Sequence, residues 1–187
     1  MAHSLNPDLW LDNYGDYLYS YSLSRLSNAS LAEDLIQETF LAALKAAPSF
    51  KGNSSFKTWL TSILKRKIID HFRKNSRKKE YSVEDFSSPF IKEGIKKGSW
   101  DQDRVPSPWD EDKKADIHND AFMHTVDGCL SDLQEKWRSV FVLKTMEGLS
   151  TEEICKVMDI TPSNLWVIMH RSRLQLRECM EKKWFKE

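Results

Sequence analysis

The segment from Ser150 to Arg173 carries the strongest local pattern in the sequence, that of a helix-turn-helix. A short capped helix, a tight turn at Asp159-Ile160 and a longer helix with basic residues follow one another. Such a pair places its second helix in the major groove of DNA, braced by a small apolar core: Ile154, Met158, Ile160, Leu165 and Met169. The residues between them are predicted to face bases and phosphates: Ser163, Asn164, Trp166, Val167, His170 and Arg171. An ordinary helical hairpin in an all-α protein is the alternative that this pattern leaves open.

A dense run of basic residues between Lys65 and Lys79 is the second pattern. Eight cations lie in this run and only Asp70 opposes them. Such a stripe suits a phosphate backbone, because each cation–phosphate contact releases a counterion. Rings that could stack on unpaired bases are interleaved with it: Phe56, Trp59, His71 and Phe72. The spacing of Trp59 and Phe72 favours packing roles first, and the run could also be a solvated helix end that leads into a basic linker.

Polar residues beside a buried stripe form the third pattern. Asp34, Gln37, Glu38 and Leu41 share one face of a predicted helix, and this face could receive a partner helix. Taken alone, the pattern is that of an ordinary amphipathic helix.

Residues typical of catalysis or metal binding are not arranged together. The histidines lack metal-ligand spacing, and no glycine-rich phosphate loop is present. Cys129, Cys155 and Cys179 are far apart and include no CxxC pair, so we expect three buried thiols and neither a disulfide framework nor a zinc knuckle. We therefore expect no cofactor, no metal, no small-molecule substrate and no enzymatic activity.

These groups must be positioned by helices, because helical periodicity dominates the sequence. It predicts helices from Tyr14 to Leu26, from a Ser30–Glu33 capping box to just before Pro48, and from Phe56 to about Lys74, with a loop at Phe50–Ser55. The apolar stripe predicted for the third helix consists of Phe56, Leu60, Ile63, Leu64, Ile68 and Phe72. Helical signals resume near Ile117. They include a capping-box candidate at Ser131–Gln134, a second box at Ser150–Glu153, and Thr161 as the cap of the last helix with Pro162 in its first turn.

Composition separates the two helical parts. The chain has 187 residues, 40% of them hydrophobic, and its 28 Lys and Arg balance 28 Asp and Glu, so the uneven placement of charge is the informative quantity. Prolines, glycines and acidic residues between Tyr81 and Asp116 predict a linker. We predict an all-α fold of two small helical domains joined by a flexible linker, with boundaries 1–80, 81–116 and 117–187. No signal peptide or membrane-spanning stretch is visible, so we expect a cytoplasmic location.

The order of these segments resembles the extracytoplasmic-function group of sigma-70-type RNA polymerase sigma factors. Asp34–Phe40 looks like region 2.2 of that family, Phe50–Leu60 like region 2.3 and Ile68–Lys74 like region 2.4. Leu130–Glu178 resembles region 4 with its helix-turn-helix. Several motifs in the family's order make the resemblance highly specific. It covers both predicted domains and omits only the N-terminal tip and the linker.

The resemblance implies a factor that binds core RNA polymerase, recognises the −10 and −35 promoter elements, assists DNA melting and is controlled by an anti-sigma factor. The polymerase contacts would be the clamp helices of the largest subunit and the flap, with Asp34, Gln37, Glu38 and Leu41 on the clamp helices. The −10 element would be read from Phe50, Gly52, Asn53, Ser54, Ser55, Lys57, Lys65, Arg66, Asp70, His71, Arg73 and Lys74, the loop among them capturing an unstacked base. The −35 element would be read from Ser163, Asn164, Trp166, Val167, His170, Arg171 and Arg173. The acidic linker would thread toward the polymerase cleft.

The recognition helix departs from the family pattern. Family members commonly carry a basic–small–basic run where this chain has Trp166-Val167-Ile168. We hypothesise that Trp166 or Val167 contacts thymine methyl groups. The rival interpretation is that the run packs against an inhibitory partner or another part of region 4. Two other classes of function also stay open, a stand-alone helix-turn-helix regulator and a sigma-like adaptor that acts through protein contacts alone.

Overall fold

The computed structural model describes residues 6–76, 99, 101–105 and 119–185. These residues form α1 (Trp10–Leu26), α2 (Ala29–Ala46), α3 (Phe56–Ser76), α4 (Asp120–Ser131), α5 (Glu135–Thr145), α6 (Thr151–Met158) and α7 (Pro162–Met180), with short helical turns at Pro7–Leu9, Ala47–Ser49, Gln102–Arg104 and Glu181–Phe185. No strand occurs within these ranges, so the predicted all-α class is confirmed. Most of the predicted linker, together with Arg77, Lys78 and Lys79, lies outside the described residues.

The contacts divide the chain into two compact units. The first unit comprises Met1–Lys78 and Val142–Asp159, and the second comprises Lys79–Phe141 and Ile160–Glu187. The first unit therefore contains α1, α2, α3 and α6 with the end of α5, and the second contains α4 and α7 with the start of α5. The boundaries 1–80, 81–116 and 117–187 stay predictions.

The core of the first unit is built on one stripe of α3. Phe56, Leu60, Leu64, Ile68 and Phe72 recur every four residues, so they lie on one face of the helix and are all buried. The sequence predicts a stripe of six apolar residues on this helix, these five and Ile63; the five are confirmed as buried, and Ile63 is half-buried. They pack with buried residues of α1 and α2, among them Trp10, Leu18, Leu26, Ala32, Leu35, Ile36 and Ala43.

The first two helices begin earlier than predicted. Asn6 and Pro7 start a helical turn that leads directly into α1, which therefore begins at Trp10 instead of Tyr14. The capping box predicted at Ser30 is wrong. Asn28 is the N-cap of α2, and its side-chain oxygen accepts a hydrogen bond from the Leu31 N–H at 3.0 Å. Asn caps as well as Ser does, and the left-handed residue Ser27 (φ 49°) ends α1 just before it.

Of the helix N-caps predicted in the C-terminal half of the chain, one is wrong and two are confirmed. The box predicted at Ser131 is wrong, because Ser131 belongs to the last turn of α4 and its hydroxyl donates to the Gly128 carbonyl at 2.7 Å. The box at Ser150 is confirmed: the Glu153 N–H donates to Ser150 Oγ at 3.2 Å, and the Ser150 N–H donates to the Glu153 carboxylate at 2.8 Å. Thr161 caps α7 as predicted.

A disulfide joins the two helices of the second unit. Cys129 of α4 and Cys179 of α7 are bonded, with their Cα atoms 5.8 Å apart and a separation of 50 positions in sequence. The expectation of three free thiols is therefore wrong for this pair, and Cys155 is the free cysteine, half-buried in α6. Sequence spacing concealed the pairing, because the antiparallel neighbours of a helical unit are distant along the chain. Lys183–Asp132 (2.9 Å) and Arg104–Glu178 (2.6 Å) add ion pairs within this unit.

Candidate nucleic-acid interface

The loop before α3 presents small polar residues next to an aromatic pair, Phe50 and Trp59. Gly52, Asn53 and Ser54 are exposed, and Gly52 has a φ of +70°, a left-handed conformation that glycine adopts without strain. Phe50 is half-buried, and its ring centroid lies 4.8 Å from that of Trp59. Ser55 is exposed and caps α3 by accepting a hydrogen bond from the Thr58 N–H at 3.1 Å. The loop is therefore held at both ends and open between them.

The α3 residues predicted to contact the −10 element differ in their exposure. Lys57, Arg66, Asp70 and Lys74 are exposed, and Lys65, His71 and Arg73 are half-buried. Lys57 Nζ lies 3.5 Å from the centre of the Tyr17 ring, and Arg73 Nη1 donates to Asp70 Oδ1 at 2.6 Å. Exposed pairs of this kind contribute only about 0–1 kcal/mol, so their cations can exchange onto phosphates.

Lys65 has a different partner, one that the sequence did not reveal. Its ammonium donates to the backbone carbonyl of Glu147 at 2.6 Å and lies 3.0 Å from Glu147 Oε2. Glu147 Oε1 accepts hydrogen bonds from the Tyr21 hydroxyl at 2.8 Å and from Arg25 Nε. The Arg25 guanidinium also stacks 3.4 Å from the centre of the Tyr21 ring. We call Glu147 with Tyr21, Arg25 and Lys65 the Glu147 cluster.

Burial and hydrogen bonding act against each other in the Glu147 cluster. Burial raises the pKa of the Glu147 carboxyl, but hydrogen bonds from Arg25, Tyr21 and Lys65 favour the ionised form and bring the net pKa below its usual value. Burial and the hydrogen bond to Glu147 raise the pKa of Tyr21 to about 12. The carboxylate is therefore charged, and Tyr21 is a neutral donor, across the ordinary range of pH.

A groove adjoins this cluster within the first unit. It has a volume of about 620 Å³, and one wall is the basic side of α3, with Arg66, Asp70 and Arg73. The other wall comes from residues 147–157 and includes Glu153 and Lys156. Charges of both signs therefore line each wall of the groove, Asp70 beside the cations of α3 and Lys156 beside Glu147 and Glu153.

The helix-turn-helix pattern corresponds to α6 and α7. Asp159 adopts a left-handed conformation (φ 53°) that ends α6, and Thr161 is the N-cap of α7. Of the residues predicted to form the small core, Ile154, Met158, Leu165 and Met169 are buried and Ile160 is half-buried. The period of α7 thus separates an inner face from an outer one.

The outer face of α7 contains the predicted recognition residues. Ser163, Asn164, Trp166, Val167, His170 and Arg173 are exposed, and Arg171 is half-buried. Trp166 is 62% exposed and Val167 45%, whereas Ile168 is only 4% exposed. The apolar run is thus divided between the two faces. Intramolecular packing accounts for Ile168 but leaves Trp166 and Val167 on the surface.

The predicted polymerase-binding residues also share an accessible face. Asp34, Gln37, Glu38 and Leu41 are all exposed on α2, and Leu41 is 59% exposed. Glu38 accepts a hydrogen bond from Lys67 at 2.8 Å, which lowers the pKa of its carboxyl. The face combines carboxylates with an exposed apolar side chain, as a surface for a partner helix requires.

The described residues contain no group of three or more His, Cys, Asp or Glu side chains placed to hold a metal ion. Among their helices, none combines the length and the apolar character that crossing a membrane requires.

Comparison with known proteins identifies relatives over nearly the whole chain. The model of Sigma-70 region 2 matches residues 10–78, and that of Sigma-70 region 4 matches residues 124–176. A probable RNA polymerase sigma factor of Haemophilus influenzae is 36% identical over 179 residues, which cover 94% of this chain and 90% of the relative. The ECF RNA polymerase sigma factor SigX of Bacillus subtilis is 29% identical over 92% of this chain and 82% of its own length. A solved complex of the sigma factor RpoE with the anti-sigma factor NepR from Bartonella quintana matches 94% of this chain and 97% of that chain at 22% identity, with a TM-score of 0.45.

Proposed function

The chain belongs to the extracytoplasmic-function group of sigma-70-type RNA polymerase sigma factors, and we propose that the surfaces described above divide promoter recognition between them. As a member of this family it binds core RNA polymerase and promoter DNA and directs transcription initiation. A stand-alone helix-turn-helix regulator has no need of region 2, so that alternative loses its support.

The loop before α3 is proposed to read the −10 element. An unstacked base would bind at the exposed stretch Gly52–Ser54, close to the rings of Phe50 and Trp59. The cations of α3 would hold the phosphates beside it: Lys57, Lys65, Arg66, Arg73 and Lys74. Strand opening would be driven by the binding energy of the captured base and not by a chemical step. Asp70, His71 and Ser55 complete the proposed −10 surface.

The outer face of α7 is proposed to read the −35 element in the major groove. Trp166 and Val167 supply apolar area for thymine methyl groups, and His170, Arg171 and Arg173 supply donors for phosphates or base edges. Ser163 and Asn164 lie at the start of the helix, where the side chains of recognition helices commonly contact bases.

The exposed face of α2 is proposed as the docking surface for the clamp helices of the largest polymerase subunit, with Asp34, Gln37, Glu38 and Leu41 as its contacts. Region 4 would contact the flap, and an anti-sigma factor would be the further partner. The exposed pair Trp166 and Val167 supports such a partner, because a covering protein would remove apolar surface from water. We place these events in the cytoplasm with the polymerase.

The observation that carries the −10 proposal is the open, capped loop that leads directly into the basic helix α3. Run-off transcription with purified core polymerase and a genomic fragment library would identify the promoters. On a promoter so identified, we expect Asn53→Ala to lower initiation from duplex DNA about tenfold or more, and to lower it much less from a template already melted at −10, because base capture would no longer have to disrupt pairing.

Asn13→Ala, an exposed position of α1, is the matched control and should initiate like the wild type. Equal initiation by Asn53→Ala and Asn13→Ala on duplex templates would contradict base capture by the loop.

A further inference from the structure

The disulfide lies on the inner face of α7. Leu165, Ser172 and Cys179 recur every seven residues, about two helical turns, and the first two of them are buried. The outer face of the same helix, which is proposed to read the −35 element, lies on the other side. A covalent bond from Cys179 to Cys129 of α4 therefore fixes the rotation of α7 about its axis, and with it the residues that face DNA.

The other contacts between α4 and this end of the chain are noncovalent and lie at the surface. The Lys183 ammonium and the Asp132 carboxylate are 2.9 Å apart, and both side chains are about half exposed. The rings of Phe122 and Trp184 meet edge-on, with their centroids 5.4 Å apart. An exposed ion pair contributes little to stability. When the disulfide is broken, the orientation of α7 on α4 thus depends on packing alone.

The two sulfur atoms of the disulfide differ in their accessibility. Cys129 is 1% exposed, whereas Cys179 is half-buried in the last turn of α7. The Asp132 carboxylate lies 3.9 Å from Cys179 Sγ and would repel an approaching thiolate, but its charge is paired with Lys183. Since thiol–disulfide exchange depends on access to the attacked sulfur, Cys179 is the sulfur open to it.

We propose that Cys129 and Cys179 form a site of reversible thiol–disulfide exchange, through which a cellular dithiol/disulfide couple sets the affinity of α7 for the −35 element. The inference rests on the −35 role and the cytoplasmic location proposed above, because disulfides that form in the reducing cytoplasm are usually transient. The oxidised protein is the competent form, since its α7 is already held in one orientation. The reduced protein has to order α7 on binding, which lowers its affinity.

The exchange balances with a dithiol as the reductant. One thiolate of the dithiol attacks Cys179 Sγ, the S–S bond breaks, and Cys129 leaves as a thiolate that takes up a proton. The second thiolate of the dithiol then attacks its own partner sulfur in the mixed disulfide and releases Cys179. Two electrons pass to the protein, which gains two thiols, and the dithiol becomes a disulfide. Oxidation is the reverse reaction, with a disulfide as the oxidant.

Glutathione is the probe of the exchange. The native protein is equilibrated with mixtures of reduced and oxidised glutathione, alkylated and digested for mass spectrometry. We expect the dithiol and disulfide forms both to be populated within these mixtures, with the mixed disulfide on Cys179. Lys183→Gln should slow the exchange severalfold relative to Lys182→Gln, the control for loss of an exposed cation. A disulfide that stays intact at every ratio, or a mixed disulfide on Cys129, would overturn the proposal.

The functional test is run-off initiation with core polymerase at a promoter found with the genomic library. The factor is oxidised or reduced first, and the reagent is removed before polymerase is added. At subsaturating concentration, we expect the oxidised wild type to initiate about tenfold more than the reduced wild type, since only the former has a preorganised α7. The double variant Cys129→Ala, Cys179→Ala should initiate like the reduced protein after either treatment, and Cys155→Ser should keep the full difference.

Hydrogen exchange distinguishes a change in α7 from loss of the fold. On reduction, we expect the amides of α7 to exchange faster while the helical content, measured by circular dichroism, is kept. Unfolding of the whole second unit on reduction would overturn the proposal, because the disulfide would then be a structural bond and not a switch.

A template with a scrambled −35 sequence separates the redox inference from the assignment on which it rests. If scrambling does not affect initiation by the oxidised protein, the −35 role of α7 is wrong and the inference fails with it. If scrambling lowers initiation but the oxidised and reduced proteins initiate equally, only the redox inference is wrong. A response to the redox treatment that persists in the double variant would overturn it as well.

Discussion

The two units are each tied together by residues far apart in sequence, but by bonds of different kinds. In the first unit the tie is polar, the Glu147 carboxylate with Tyr21, Arg25 and Lys65. In the second unit it is covalent, the disulfide between Cys129 and Cys179. A polar tie yields to competing anions and to pH, whereas a disulfide yields only to reductants. The two units of this chain should therefore respond to different conditions.

The largest effect is expected when the covalent tie is removed. The disulfide closes a loop of 50 residues, for which chain entropy gives about 4 kcal/mol of stabilisation. Cys129→Ser should therefore lower the free energy of unfolding of the second unit by about that amount and leave the first unit little changed. Denaturation followed by hydrogen exchange resolves the two units. Cys155→Ser is the control, since Cys155 is a free thiol in the first unit.

Thiol counting decides whether this tie exists in solution. Alkylation of the denatured, unreduced protein should modify one cysteine, and three after reduction. Three modified cysteines without reduction would show that the disulfide between Cys129 and Cys179 does not form in solution.

The polar tie should make the first unit sensitive to pH at both extremes, with a smaller effect than the disulfide. The pKa of Glu147 is lowered in the folded protein, so its contribution is present above the unfolded value of about 4.3 and is lost as pH falls through the folded pKa. The pKa of Tyr21 is raised to about 12, so its contribution is complete below pH of about 10 and is lost as pH rises from there to about 12.

Thermal unfolding across these windows measures the effect. The destabilisation by Glu147→Gln should be largest between pH of about 5 and 9, and should shrink on the acidic side as the wild-type carboxyl takes up its proton. Tyr21→Phe should abolish the part of the alkaline loss that belongs to Tyr21. If the difference in thermal stability between wild type and Glu147→Gln stayed constant from pH 3 to 7, the ionised Glu147 carboxyl would not be the source of the stabilisation.

How far the sequence predicted this architecture depends on the distance over which each feature is encoded. The stripe of α3 from Phe56 to Phe72 follows from a period of four residues, and the Ser150–Glu153 box lies within one turn, so both were found. At Ser30 the prediction was wrong because Asn28 is an equally good cap two residues earlier. The Glu147 cluster and the disulfide join residues between 50 and 126 positions apart, and no local pattern encodes them.

The residues of the candidate site were predicted from two kinds of information in the sequence. The outer face of α7 follows from helical period, which places Trp166 and Val167 outside and Ile168 inside. The roles proposed for Asn53, Lys65 and Asp34 rest on family resemblance, because exposure alone does not distinguish a DNA contact from a solvated surface.

The two proposed DNA surfaces, one in each unit, also differ in their chemistry. The side of α3 is cationic, whereas the centre of the α7 face is apolar. Trp166→Ala should lower affinity for the −35 duplex about tenfold, equivalent to about 1.4 kcal/mol, without changing the salt slope, because no ion is released by an apolar contact. Lys74→Gln should lower the slope for −10 DNA by about one with little change in base preference. Met123→Ala, exposed on α4, is the control for loss of apolar surface.

Unchanged affinity and base preference in Trp166→Ala would contradict the methyl contact and leave an inhibitory partner as the explanation of the exposed ring. A reduced salt slope in the same variant would instead show that the helix had shifted and lost phosphate contacts.

The smallest effect concerns the caps on either side of the turn at Asp159. Ser150 makes a reciprocal box with Glu153 in the first unit, while Thr161 accepts one bond from the Asn164 N–H in the second. Ser150→Ala should cost about 1 kcal/mol and Thr161→Ala somewhat less, measured by urea denaturation. Equal losses of stability from the two substitutions would contradict the difference between a reciprocal capping box and a single capping hydrogen bond.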